Sequence, residues 1–449
     1  MNLERASTGW LVRLAYVLFF FLLVFPGMRL FLYGKVFLFA LLFVLIAIRG
    51  VGSFHLDARV VGWTMGLSAI GLLFGLRGLL LGTPGATQCI RVYVVWPLIY
   101  MVILGGIEDI RILRGLERTL VFSSAFIALF GCFFALASLN ILPGLSQLEL
   151  LFTPEELGSG LYLTALFSEG HVELAYTGLM SAPFLVPFLM AAAVCRPSET
   201  RNGWTSKRWL TVALVLNLTI VLLSGRRALQ LVTMLTPLLI LGFGCFQPRK
   251  ERRILRKSLG RAAVASLIVI VLAIVLISPI YTITFEGLAD RFVAGFDFSA
   301  SNLSDSSVGR VEQYLALMDS WKGSPLIGRG LGASAHASIR SDTVPWAYEL
   351  SYVYLLFETG VLGFAAYTTG IVWIYWSGIR IIRRGGLDAQ FMLPALVGLT
   401  GMLIANATNP YLSGSDGMWA IFLPLAFINH WLLTNKSQER QQIYRSAFA

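Results

Sequence analysis

Apolar runs of about 20 residues recur along this chain, separated by connections mostly too short to fold alone. That repetition constrains the fold more than any motif does. A helix needs roughly 20 mostly apolar residues to cross about 30 Å of hydrocarbon, and it satisfies its own backbone N–H and C=O groups on the way. Such runs lie near 10–27, 30–48, 60–76, 90–107, 119–139, 174–194, 209–224, 228–246, 262–281, 350–377, 391–407 and 417–433. The composition agrees: 57% of the 449 residues are hydrophobic and 13% charged, against roughly 25% charged in a soluble domain. Too little polar surface exists to cover a water-soluble fold of this size. The expected fold class is therefore an all-α polytopic membrane protein with about twelve transmembrane helices.

A formal net charge of +11 invites a nucleic-acid reading. The distribution excludes it, because the basic residues cluster in short connections, as the positive-inside rule describes. Arg49 and Arg59; Arg111, Arg114 and Arg118; Arg196, Arg201, Lys207 and Arg208; the run from Arg249 to Arg261; Arg380, Arg383 and Arg384; and the tail with Lys436, Arg440 and Arg445 all fall on one side. The connection 140–173 carries Glu149, Glu155, Glu156, Glu169 and Glu173 and no Lys or Arg. Both termini are expected to be cytoplasmic, and the first span to be retained as an anchor.

Two outer segments exceed simple turns. Residues 140–173 have a candidate interfacial helix starting at Thr153-Pro154-Glu155-Glu156, where proline and acids suit a first turn. Residues 282–349, between the ninth and tenth spans, are expected to form a large cap packed on the bundle. Residues 434–449 read as a polar, inert cytoplasmic tail. Cys89, Cys132, Cys195 and Cys245 lie in or beside apolar segments without metal-ligand spacing and read as small hydrophobes.

The informative arginines are those that topology does not explain. Ser224-Gly225-Arg226-Arg227 lies at the outer end of two apolar runs, and Arg77 and Arg91 fall near the same face. A charge at membrane depth is expensive and faces a cavity or a partner, unless it snorkels to headgroups. Adjacent Arg226 and Arg227 point in different directions on a helix, so at least one faces the bundle. A phosphate or pyrophosphate would suit such guanidinium forks; chloride or an internal carboxylate would fit as well. In the long loop, Arg310 has no same-face acid at Glu312, which leaves it available to a ligand. Gly323-Ser324-Pro325-Leu326-Ile327-Gly328-Arg329-Gly330-Leu331-Gly332 specifies a tight turn able to form an anion nest.

Glu349 sits at the mouth of the tenth span, where a carboxylate can take a proton from a sugar hydroxyl or pair with an outer arginine. Glu358, more than two turns deeper, reads as structural. Tyr348, Tyr352, Asn409 and Tyr411 are candidates for contacting a sugar, although Asn409 can equally cap a helix. His171 and His336 face outside, and His336 joins the candidate binding set. The histidines and acids do not form a metal set, so neither metal nor cofactor is expected.

Taken in order, the external Ser-Gly-Arg-Arg, Gly309-Arg310 followed by Trp321, the run Ser324 to Gly332, and the helix ending Glu358-Thr359-Gly360-Val361-Leu362-Gly363 resemble the bacterial O-antigen ligase / O-antigen polymerase superfamily. The resemblance covers about residues 215–375. It implies a metal-independent glycosyltransferase of the bacterial inner membrane, with its active site facing the periplasm. The donor it implies is an undecaprenyl-pyrophosphate-linked oligosaccharide. The acceptor is the terminal sugar of another lipid-linked repeat in polymerases, and lipid A–core in ligases. A chain-length regulator is an expected protein partner. Carried over by position, the pyrophosphate-holding residues are Arg226, Arg310, Arg227 and Arg329; Arg91, from its place near the outer face, is a further binding candidate. Ligases usually carry a histidine just before the Tyr-Leu-Leu helix; here Glu349 stands there, which favours the polymerase branch. A ligase, or a non-catalytic protein that binds or transports the lipid-linked glycan, is the alternative.

Overall fold

The computed structural model describes residues 2–26, 31–49, 55–107, 110–138, 164–168, 171–175, 177–196, 205–224, 226–260, 264, 305–335 and 344–447. They form α1 (Asn2–Val24), α2 (Leu32–Arg49), α3 (Ala58–Leu80), α4 (Ala86–Gly105), α5 (Ile110–Ser138), α6 (Ala182–Cys195), α7 (Lys207–Leu223), α8 (Arg227–Gly244), α9 (Asp305–Lys322), α10 (Ser351–Arg384), α11 (Gly386–Asn406) and α12 (Trp419–Ala447). Among the described residues, six helices are long and apolar enough to cross a membrane: α3, α4, α5 over Ile110–Phe134, α8, α10 and α11. Shorter apolar stretches lie in α1, α2 and α6. The ninth expected span, 262–281, falls outside the described residues except for Val264.

Two elements differ from expectation. Thr164–Ser168 (β1) and His171–Ala175 (β2) form an antiparallel hairpin, with Ser168 opposite His171. Short runs of strand formers flank Glu169-Gly170, the spacing of a two-residue hairpin connection. The helix start expected at Thr153 lies outside the described residues. The sixth span, expected from 174, begins later: a 3-10 turn covers Thr177–Met180 and α6 starts at Ala182. Pro183 explains that start, because proline in the first helical turn forfeits an N–H that has no helical partner there.

The chain divides into two compact units. The first comprises Met1–Val51, Asp109–Asp297 and Ile379–Ile404. Its central helix is α6, buried on every side from Ala182 to Val194, which is how a helix that is hydrophobic all round is accommodated. Gly398 and Gly401 bring α11 against Phe184 and Pro183 of α6, where a Cβ would collide. Asn217 of α7 donates to Ser124 O of α5 at 3.0 Å. Arg196 and Glu117 form a sealed ion pair at 2.8 Å, 1% and 0% exposed, and Thr205 Oγ1 donates to the same carboxylate.

The second unit comprises Gly52–Glu108, Phe298–Gly378 and Ala405–Ala449. Trp63 of α3 donates to Gly370 O of α10 at 2.8 Å and stacks on Trp373, while Tyr100 of α4 stacks on Phe422 of α12. Asp57 caps α3 by accepting the Arg59 N–H, and its own N–H donates to Asn429 Oδ1. Its second carboxylate oxygen pairs with Lys436 Nζ at 2.7 Å. Burial alone would raise the Asp57 pKa, but Lys436 and the Arg59 N–H bring it below the ordinary carboxylate value. Residues after Leu433 are thus helical to Ala447 and tied to α3 at Lys436. The expectation of an inert tail is corrected: its first turn bears a structural ion pair.

Candidate functional site

The tenth span is a broken helix. Gly360 has φ 63° and ψ −172°, so α10 unwinds between Glu358 and Leu362 before resuming. This exposes backbone groups that another segment must satisfy, and the glycine-rich loop does so. Arg329 N–H donates to Phe357 O at 3.0 Å and Gly330 N–H to Glu358 O at 2.8 Å. In return Val361 N–H donates to Pro325 O at 3.0 Å and Leu362 N–H to Leu326 O at 3.1 Å. The two backbones meet too closely for side chains: a Cβ on Gly328 would strike the Glu358 carbonyl, and one on Gly360 the Leu326 carbonyl. Both glycines have positive φ, which favours glycine on conformation as well.

The other side of the loop lies on α3. Leu331 N–H donates to Phe74 O at 3.0 Å, Thr83 Oγ1 to Leu331 O at 2.7 Å, and Gly85 N–H to Gly332 O at 3.0 Å. Arg77 donates to Gly328 O through Nε and Nη2 and to Ser324 Oγ through Nη2. Gly332 N–H donates to Oε1 of Glu358, which is fully buried beside Cys89 Sγ. The Tyr354 hydroxyl, beside the same carboxylate, donates to Ala333 O at 3.1 Å. The N–H groups from Gly328 to Gly332 are therefore all committed to protein acceptors. The anion-nest expectation for this run is corrected: the loop is a splint for the broken helix. Glu358 and Arg77 belong to that splint.

At the mouth of α10 the structure brings two of the candidates together. Arg310 Nε donates to Glu349 Oε2 at 2.7 Å, with side chains 32% and 17% exposed. The Glu349 N–H donates to Gln313 Oε1 at 3.0 Å. Arg310, Gln313 and Leu317 recur at i, i+3 and i+7, so they share the α9 face turned toward residues 348–357. Leu317 is buried there in a cluster with Tyr348 and Phe357. The expectation that Arg310 stands free is corrected, since Glu349 pairs with it.

The remaining candidates are distributed as follows. Tyr348 is 2% exposed, and its hydroxyl accepts the Ala335 N–H at 2.7 Å. Burial raises its phenol pKa above the ordinary value, moderated by that N–H. It is thus a core residue rather than part of an open surface. Tyr352 hydrogen-bonds to Asn406 in the first turns of α10. Arg329 is exposed and donates to Ser320 O at 3.0 Å, over the C-terminal carbonyls of α9 where a cation is favourable. Arg91 is exposed and opens a π turn, Arg91–Val95, within α4. Asn409 donates to Thr408 Oγ1, and Tyr411 is 4% exposed. His336 lies outside the described residues.

In the first unit, α7 stops at Leu223 and α8 starts at Arg227, with Arg226 at its N-cap. Buried Ser224 donates from Oγ to Val221 O at 2.9 Å and accepts the Arg226 N–H at 3.4 Å, which fixes the corner. Among the described residues no side chain caps α8. Arg226 and Arg227 are half-buried, and neither side chain has an ion pair among the described residues. Among the described residues there is also no cluster of three His, Cys, Asp or Glu able to hold a metal ion.

Residues 212–368, about a third of the chain, match the family model Wzy_C, described as O-antigen ligase. The match supports the O-antigen ligase and polymerase superfamily. Glycan transfer from a lipid-linked donor, by a glycosyltransferase-like enzyme in a membrane, is the activity it supports. Polymerase and ligase branches are not distinguished by it. No curated protein matches the chain. The matched segment contains Arg226, Arg227, Arg310, Arg329, Tyr348, Glu349 and Tyr352, together with the glycine-rich loop and the break in α10 at Gly360. Arg91, Asn409 and Tyr411 lie outside it. Sequence reasoning missed Gln313, whose signal was its place one helical turn after Arg310 and one turn before Leu317.

Proposed function

We propose that the chain is a polymerase of O-antigen or a related surface polysaccharide, acting at the outer face of the bacterial inner membrane. An undecaprenyl-pyrophosphate-linked glycan is the donor, and the terminal sugar of another lipid-linked repeat is the acceptor. The observation that carries this reading is the placement of Arg226 and Arg227. Cations at a helix N-terminus oppose the macrodipole, and these two lack an acidic partner among the described residues. Their charge is suited to an external anion, and with the uncapped N–H groups of α8 it forms a receptor for phosphate oxygens.

In this mechanism Arg226 and Arg227 hold the pyrophosphate and stabilise the charge that grows on it as the glycosidic bond breaks. Glu349 accepts the proton of the attacking sugar hydroxyl. The donor is already activated, so the chemistry needs no nucleotide. Attack opposite the leaving pyrophosphate inverts the anomeric configuration. Glu349 at the position where ligases usually carry histidine supports the polymerase branch. A chain-length regulator would act on this enzyme as a separate protein.

The test is a reconstituted reaction with purified protein and lipid-linked repeat units, with and without lipid A–core. A polymerase lengthens glycans without lipid A–core. Conjugates formed only when lipid A–core is present would establish the ligase instead, and transfer in neither mixture would favour a binding or transport protein.

A further inference from the structure

The connection that follows α8 carries its charge on one face of a helix. Residues 249–260 are helical, after a turn over residues 245–248. Two contacts fix this helix against the end of the span before it. Leu255 is buried against Gly244, where a Cβ would strike its Cδ2. Arg252 Nη2 donates to Cys245 O and, at 3.0 Å, to Gln247 O. Because α8 is long and apolar enough to cross a membrane and ends at Gly244, residues 252–257 lie at the depth where hydrocarbon gives way to headgroups. At 3.6 residues per turn, Arg249, Lys250, Arg253, Arg256 and Lys257 fall within about 120° of arc. All five are exposed, across the helix from buried Leu255 and Leu259. Ile254, 56% exposed, borders that face.

The positive-inside rule accounts for basic residues in a connection but not for their confinement to one face. On that face the charges oppose one another. Arg249 and Arg253, like Arg253 and Lys257, are four residues apart, the spacing at which like charges destabilise a helix. Arg249 and Lys250 also stand in the first turn, where cations oppose the macrodipole. Glu251, the one acid in residues 249–260, lies on the other side and accepts the Gly386 N–H at 3.1 Å. Its Oε1 and the Pro248 ring fill the space a Cβ on Gly385 would need, so the corner between α10 and α11 braces the start of this helix.

We infer that the face formed by Arg249, Lys250, Arg253, Arg256 and Lys257 is a binding site for anionic phospholipid headgroups. The inference needs only the membrane location of the chain and is independent of the glycosyl-transfer reading. Basic side chains clustered immediately beyond a span match a layer of lipid phosphates in charge and in depth. An exposed isoleucine at the rim suits the boundary with the acyl chains, which a soluble anion would not call for. Bound lipid relieves the repulsion along the helix and fixes the depth of α8, whose other end carries Arg226 and Arg227.

The experiment measures binding of a fluorescent phosphatidylglycerol to the purified full-length protein, delipidated in a neutral detergent. Binding should saturate, weaken as salt is raised, and be displaced by unlabelled phosphatidylglycerol but not by phosphatidylcholine. Arg253→Gln combined with Lys257→Gln should lower affinity about tenfold or more, as expected for two charges at a headgroup surface. Lys207→Gln combined with Arg208→Gln removes the same charge at the start of α7 and should leave affinity near wild type. An equal loss in both double variants would reveal general attraction to a basic protein and overturn the site. Unchanged binding in the first double variant would overturn it as well. Displacement by inorganic phosphate or a short DNA oligonucleotide, at concentrations as low as phosphatidylglycerol requires, would make a soluble anion the occupant instead. The wild-type protein gives a readout that needs no variant: a photoactivatable phosphatidylglycerol should label residues 249–260, and labelling confined to other segments would contradict the assignment.

Discussion

The Arg77 guanidinium donates to the carbonyl oxygen of Gly328 from Nε at 3.2 Å and from Nη2 at 3.1 Å. An arginine of α3 thereby fixes the loop that splints α10. Arg77→Ala should lower stability by about 1–3 kcal/mol, as expected when a charged hydrogen-bond donor is removed from a buried carbonyl. Thermal unfolding in detergent would show a lower Tm, whereas Arg77→Lys, which restores one donor, should recover part of the loss.

Gly328 and Gly360 should be the least replaceable glycines. Each has positive φ and each would drive a Cβ into the other segment's backbone. Gly328→Ala or Gly360→Ala should destabilise by roughly 1–3 kcal/mol or more. Membrane yield and Tm would fall together. Gly62→Ala, on the open face of α3 where a Cβ meets nothing within 4 Å, should leave both near wild type.

The Asp57–Lys436 contact predicts a pH dependence. Asp57 has a folded pKa below its unfolded value, so its stabilisation is present above about pH 4, the unfolded carboxylate pKa, and is lost as pH falls through the folded pKa. Tm measured from pH 7 down to pH 3 should therefore drop less steeply in Asp57→Asn than in wild type. Above pH 5 Asp57→Asn should be the less stable protein.

How much of this was legible in the sequence depends on the range of the forces involved. Apolar periodicity is local, so the runs that became α3, α4, α8, α10 and α11 could be read directly. Ser224-Gly225 marked the corner before α8, and Gly323–Gly332 marked a turn. The use of that turn was not readable, because Gly328 is explained by Glu358 and Gly360, which lie thirty residues away in sequence and meet it only in the fold. Glu358-Thr359-Gly360 reads as continuous helix until the loop supplies the hydrogen bonds that let it unwind. The Arg310–Glu349 pair was one of two readings of Glu349, and sequence had no means of choosing. Gln313 could have been found by extending Arg310 along its helix face.

Position-specific charge effects should separate the arginines. Arg329 neutralises carbonyls at the end of α9, so Arg329→Ala should cost about 0.3–1 kcal/mol of stability and leave most of the transfer rate. Parallel measurements of Tm and initial rate would check this. A loss of transfer with unchanged Tm would place Arg329 among the pyrophosphate-holding residues instead.

The central claim is that Arg226 acts on the leaving pyrophosphate. Its most direct test is the initial rate of glycan transfer by Arg226→Ala in proteoliposomes, at matched protein level and Tm. The account predicts a loss of about hundredfold or more, comparable to removing a donor that stabilises transition-state charge, with partial recovery in Arg226→Lys. A rate near wild type in Arg226→Ala would contradict it.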